Sequence, residues 1–207
     1  MDRLPGTASL TFPVSIGPQE ASALRDWVRR EQARRTLEVG LGYAASTLAI
    51  CEGLAANGAE GQHLAIDPYQ FESLPHHKTR YEAAGLRALE EAGVRGLVEF
   101  VAEESQVVLP RLLGEGRRFD LAFIDGNHRF EAVFLDLVYC GRLLEERGIA
   151  FVDDVQLPGV RRGVDFCLAN LGWTLEDAGK EGLHEWEVLR TGPAEAFRRP
   201  YDLLADF

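Results

Sequence analysis

Acidic residues recur at the carboxyl ends of β-prone runs. Asp67 closes His63-Leu64-Ala65-Ile66-Asp67, Asp125 closes the run from Phe119, and Asp153-Asp154 closes the run from Gly148. Another such run, Thr36 to Gly40, leads into the turn Glu38-Val39-Gly40-Leu41-Gly42-Tyr43-Ala44-Ala45-Ser46-Thr47. Glycines there permit a tight turn and close approach of the backbone to a ligand. The helix that follows offers free N–H groups to a phosphate or a carboxylate. Asp67 lies 27 residues beyond Gly40, where a carboxylate can accept the hydroxyls of an adenosine ribose. The pair suits a nicotinamide cofactor or S-adenosylmethionine; the plain alternative is a strand–turn–helix without a ligand. Glu38 sits badly beside a pyrophosphate but well beside an ammonium. No Tyr-x-x-x-Lys occurs, so the short-chain dehydrogenase proton donor is missing.

A second group is Asp125-Gly126-Asn127-His128 together with Asp153-Asp154. Neighbouring parallel strands lie about 4.8 Å apart. If the two runs are neighbours, three carboxylates crowd one small volume. Like charges that close require proton uptake or a cation. Oxygen donors favour a hard ion such as magnesium, calcium or manganese. The alternative is that one aspartate faces solvent and another caps a helix. His128 follows Asp125 by three residues. It is either a base with a pKa near ambient or a solvated residue opening a helix.

These groups need a scaffold, and the chain alternates strand and helix. Helical stretches are expected over Pro18–Ala33, Ala44–Ala56, Tyr81–Ala92, Gln106–Leu113, Phe130–Leu144 and Val160–Leu171. Strands are expected at Thr36–Gly40, His63–Asp67, Leu97–Ala102, Phe119–Asp125 and Gly148–Asp153, with late strands at Trp173–Leu175 and Glu185–Leu189. The fold this implies is α/β: a doubly wound, Rossmann-like sheet, mostly parallel, of seven strands with a late antiparallel pair. In such sheets ligands bind beyond the carboxyl ends of the strands. Residues 1–207 read as one domain, with a leading helical segment over 1–35 and a tail over 193–207. Trp173 and Trp186 are expected to form a cross-strand or core pair. The tail, with Phe197, Tyr201, Leu203, Leu204 and Phe207, is too apolar to float free.

Composition bounds the function. The chain has 207 residues, 22 Lys plus Arg against 33 Asp plus Glu, and a formal charge of −11. That balance makes duplex nucleic acid and anionic membrane poor partners. No run of 18 apolar residues is present and the N-terminus lacks a signal-peptide pattern. Three widely spaced cysteines, Cys51, Cys140 and Cys167, suit reduced core thiols of a cytoplasmic protein.

From Thr36 to Phe166 the sequence resembles class I S-adenosylmethionine-dependent methyltransferases. It is similar to the metal-dependent O-methyltransferases that include catechol O-methyltransferase. It also resembles a bacterial family with an Asp-Gly-x-His motif, related to macrolide-sugar O-methyltransferases. The motif Glu-x-Gly-x-x-x-Gly-x-Ser appears as Glu38 to Ser46, with Ala44 in place of the usual glycine. The resemblance implies that Gly40, Gly42 and Ser46 hold the methionine carboxylate, with Glu38 near the amino end. It assigns Asp67 to the ribose and Glu104-Ser105-Gln106 to the adenine side. Asp125 matches the first metal ligand, near the methyl donor; Asp153 matches the second. Asp154 matches the third, where the catechol enzymes carry Asn, and the added charge strengthens divalent-ion binding. His128 falls where those enzymes place a lysine base.

The expected function is therefore S-adenosylmethionine-dependent O-methylation of a small hydroxylated acceptor, assisted by Mg²⁺ or another hard divalent cation at Asp125, Asp153 and Asp154, with His128 as base. Metal-free transfer, a nicotinamide-dependent oxidoreductase and a non-catalytic S-adenosylmethionine-binding module are the competing readings. His76 and His77 are either a lid over the site or an exposed pair. The apolar tail and leading helix allow a homodimer.

Overall fold

The computed structural model describes residues 15–58, 62–71 and 81–207. The N-terminal leader and the His76-His77 pair lie outside them. The secondary structure runs α1 (Pro18–Arg30), β1 (Arg35–Val39), α2 (Ala45–Ala56), β2 (Gln62–Ile66), α3 (Ala84–Glu91), β3 (Val98–Val101) and α4 (Ser105–Gly114). It continues with β4 (Phe119–Ile124), α5 (Phe130–Leu143), β5 (Leu144–Val152), α6 (Pro158–Asn170), β6 (Thr174–Glu181) and β7 (His184–Arg190). The seven-stranded sheet has the order β3-β2-β1-β4-β5-β7-β6. The chain divides into two compact units, one ending at Glu104 and the other beginning at Ser105.

In the first unit β1, β2 and β3 pair in parallel. β1 and β2 are buried at all but their first residue, as apolar strands covered on both faces must be. α1 buries Ala21, Leu24, Trp27 and Val28 at helical spacing. α2 is apolar almost all round and buried from Ala45 to Cys51, the pattern of a helix inside the core. Its Gly53 permits close approach to α1, because a Cβ there would meet Val28 Cγ1 at 2.7 Å.

In the second unit β4 and β5 are parallel, and β7 runs antiparallel to both β5 and β6. Phe123 and Phe151 face each other across β4 and β5, with ring centroids 5.6 Å apart. Each fully buried ring stabilises the fold by about 1.5–3 kcal/mol. The tail packs on α6. Asn170 exchanges two hydrogen bonds with the Ala205 backbone, at 3.1 and 2.7 Å, and the Phe207 ring meets Phe166 edge-on.

Three expectations change. β5 starts at Leu144, not Gly148, through the exposed Glu145-Glu146-Arg147 segment. That segment forms an irregularity against β4, with Arg147 in the left-handed region at φ 59°; exposed charges carry no strand periodicity. β6 runs on to Glu181 although nearly all of it is exposed, since an edge strand has no need of an apolar face. Trp173 and Trp186 do not pair. Trp186 lies opposite Gly179 in the hairpin, filling the space that glycine leaves, while Trp173 lies over Gly141 of α5, near Phe197.

The three cysteines are free and buried, and burial pushes the Cys51 and Cys167 thiols up to about 12. Among the described residues no helix is long and apolar enough to cross a membrane.

Candidate functional site

The turn from β1 into α2 belongs to the first unit. Gly40 and Gly42 adopt φ of 98° and 49°, and Ala44 holds φ 67° at the helix N-cap. Ala44 therefore takes a left-handed conformation that disfavours any residue with a Cβ. The turn is pinned by Asp67, which follows β2 and is 5% exposed. Asp67 Oδ2 accepts from Gly42 N–H at 2.9 Å and from Gln70 Nε2 at 3.0 Å; Oδ1 accepts from Tyr69 N–H at 2.7 Å. A carboxylate has about four acceptor positions, so one remains on Oδ1. Gln70 Nε2 also donates to the Gly42 carbonyl at 2.7 Å.

Glu38 is fully buried. Its carboxylate accepts from the hydroxyls of Ser46 and Thr47 and meets His63 Nε2 at 2.9 Å. His63 in turn shares a 2.9 Å hydrogen bond with Thr36 Oγ1. The side chains of Glu38 and Ser46 thus bind each other and fasten the first turn of α2 to β1 and β2. The donors left for an anion at this turn are backbone N–H groups.

Glu104 and Gln106 are exposed, and Glu104 ends the first unit. Ser105 opens α4 in the second unit, and its side chain hydrogen-bonds Asp136 of α5. Asp136 is 1% exposed and its Oδ1 has no partner. Burial, partly offset by Ser105, pushes its carboxyl up to about 6.

The acid cluster lies wholly in the second unit. Asp125 follows β4; Asp153 and Asp154 follow β5 and are buried. Parallel pairing carries on past the strands, since Asp153 N–H donates to the Ile124 carbonyl at 3.2 Å. His128 Nε2 lies 3.2 Å from both Asp125 Oδ1 and Asp154 Oδ2. The Asp125 hydrogen bond raises the His128 pKa above its usual value; burial opposes this, and the charges of Asp125, Asp154 and Asp153 add to it. Asp154 holds φ 57°, and its Oδ1 accepts from Gln156 Nε2 at 2.6 Å.

Among the described residues, two sets of donor atoms each fall within 4.8 Å: Asp125, His128 and Asp154, and Asp153, Asp154 and His184. Asp154 is common to both. The donors are carboxylates with imidazoles beside them, chemistry that suits a divalent ion. His63, Gln70, Gln156 and His184 were not singled out by the sequence. Only His184 carried a signal: it directly precedes the expected strand Glu185–Leu189, and an antiparallel partner of β5 starts where β5 ends.

Residues 37–155 match the model of the methyltransferase domain family. No curated protein matches the chain at a significant level. Among solved structures, cofactor-bound Rv0187 from MTB superposes with a TM-score of 0.71 at 21% identity, covering 89% of this chain and 84% of that one. The O-methyltransferase TomG from Streptomyces achromogenes, in complex with SAM, gives 0.71 at 21% identity over 86% and 82%. The O-methyltransferase from Bacillus cereus, in complex with SAH, gives 0.71 at 16% identity over 87% and 84%. The fold is that of class I S-adenosylmethionine-dependent methyltransferases, and the chain belongs to the methyltransferase domain family.

Proposed function

We propose that the protein transfers the methyl group of S-adenosylmethionine to a hydroxyl oxygen of a small acceptor, with a divalent ion held by Asp125, Asp153 and Asp154. The observation that carries this is the position of His128 Nε2, 3.2 Å from carboxylate oxygens of both Asp125 and Asp154. A proton acceptor and a set of anionic donors therefore share one place. When bound, such an ion supplies positive charge that acidifies a hydroxyl and anchors it.

The chain's own residues do the rest. The backbone N–H groups at the start of α2 hold the methionine carboxylate of the donor, and Asp67 Oδ1 accepts from a ribose hydroxyl. Glu104, Ser105 and Gln106 serve the adenine side. Glu38 acts as a positioning residue, fixing Ser46 and Thr47. Transfer is an in-line displacement: the acceptor oxygen forms a bond to the methyl carbon, and the S–C electron pair returns to sulfur. The hydroxyl proton goes to the imidazole of His128 as general base. An acceptor with two adjacent oxygens, in a sugar, a phenol or another diol, would suit a hard ion held by Asp125, Asp153 and Asp154. The free, buried cysteines suit a reducing compartment such as the cytoplasm.

Calorimetric titration with S-adenosylhomocysteine, with and without Mg²⁺ plus a vicinal diol, tests the reading. Adenosylhomocysteine binding that tightens with metal and diol is the expected result. Binding indifferent to both would remove the metal-assisted mechanism, and no binding at all would remove the donor site.

A further inference from the structure

The β6–β7 hairpin brings an imidazole to the acid cluster. β7 pairs antiparallel with β5 in the register Val152 opposite Glu187. Past the end of β5, Val155 N–H donates to the Glu185 carbonyl at 2.9 Å. This register sets His184, the first residue of β7, beside Asp154. His184 Nδ1 lies 3.2 Å from Asp154 Oδ1. Two metal–ligand bonds of about 2.2 Å at a right angle separate their donor atoms by about 3.1 Å. The two side chains share a hydrogen bond at this distance, and the same spacing matches that of adjacent ligands of one ion. Gln156 fixes the same Asp154 oxygen, its Nε2 at 2.6 Å and its own Oε1 accepting from Glu185 N–H at 2.9 Å. Gln156 thereby orients the ligand pair, as partners behind a metal ligand commonly do.

We infer that His184 is a ligand of the divalent ion, and that it makes the centre select a first-row transition ion such as Mn²⁺ over Mg²⁺. This rests on the divalent site proposed above. Mg²⁺ takes oxygen donors in a strict octahedron and gives up its waters reluctantly. Imidazole nitrogen suits transition ions. One nitrogen donor added to carboxylates therefore raises affinity for transition ions and leaves that for Mg²⁺ nearly unchanged. His184 is exposed and sits at the start of a strand on a hairpin, so its ring can turn toward an ion without disturbing the core.

The test uses the full chain. Mn²⁺ binding is followed by electron paramagnetic resonance and Mg²⁺ binding by calorimetry, for the wild type, His184→Ala and His184→Gln. The wild type is expected to bind Mn²⁺ at least about tenfold more tightly than Mg²⁺. Both variants are expected to lose about 10- to 100-fold in Mn²⁺ affinity and to keep Mg²⁺ affinity within about twofold. Electron spin echo modulation from ¹⁴N is expected in the Mn²⁺-loaded wild type and not in the variants. Unchanged Mn²⁺ affinity, an equal loss for both ions, or modulation that survives in the variants would overturn the inference. Absence of ¹⁴N modulation in the wild type would overturn it even if neither variant folds. Failure of the wild type to bind either ion would instead remove the divalent site itself, with adenosylhomocysteine binding the separate check on the fold's donor loop.

Discussion

His63 Nε2 stands 2.9 Å from Glu38 Oε2, and both side chains are shut off from solvent. A buried carboxylate that loses a partner bears the cost of its lost solvation, about 1–3 kcal/mol or more for a charged group. His63→Leu is therefore expected to destabilise the chain by at least that much in urea denaturation. His63→Gln, which keeps a donor, should lose less. Adenosylhomocysteine affinity should fall in the same order, because Glu38 fixes Ser46 and Thr47 at the start of α2. Equal stability of the Leu and Gln variants would show that the pair holds nothing in place.

Ala44 offers the opposite case. Its φ of 67° costs about 1–2 kcal/mol for a residue with a Cβ, and the resemblance places glycine there. Ala44→Gly should raise the urea midpoint without changing the slope. The added unfolded-state freedom of glycine, about 0.4–1 kcal/mol, trims the gain. A midpoint below wild type would mean that the turn tolerates alanine without strain.

Asp136 gives a pH dependence with a definite sign. Its carboxyl is raised from 3.8 to about 6 in the folded chain. Below the lower value both states are protonated and the group is neutral toward stability. As pH rises through this window the unfolded chain releases its proton first, so stability falls. A rise of about two units corresponds to about 3 kcal/mol. Asp136→Asn should therefore stabilise the protein by about 1–3 kcal/mol at pH 8, and by much less at pH 4.5. Urea titrations at the two values check this; a gain independent of pH would contradict it.

At the proposed metal centre, Asp154 belongs to both donor sets. Asp154→Ala should lower kcat/KM for methyl transfer by about 100-fold or more, whereas Asp153→Ala leaves one of the two sets intact and should cost less. Chelator should abolish turnover and added divalent ion restore it. Full activity in the presence of chelator would leave the methyltransferase fold standing without its metal chemistry.

The parallel strands and their helices were legible because short apolar runs such as Leu121 to Ile124 alternate with helical stretches and fit strands covered on both faces. The acids were legible for the same reason: each sits where such a run stops. His63 and Gln70 were not. A histidine inside an apolar strand gives no local sign of the glutamate on the next strand, and Gln70 acts only through the fold of its turn. The partners of the tryptophans were missed because Gly179, opposite Trp186, leaves a space that sequence spacing does not reveal. His184 lay within reach, since antiparallel pairing with β5 sets the start of β7 beside Asp154.

The rim of the sheet has its own consequence. Among the described residues β6 is an edge strand, and it carries Glu176, Asp177, Lys180 and Glu181 on a largely exposed ribbon. An unpaired edge is a template for fibre growth, and charge is a common protection against it. Two copies approaching along this ribbon bring mostly carboxylates face to face, on a molecule whose formal charge is already −11. Self-templating along this edge is thus opposed by repulsion, and the opposition weakens in strong salt or in acid, where the carboxylates are screened or neutralised.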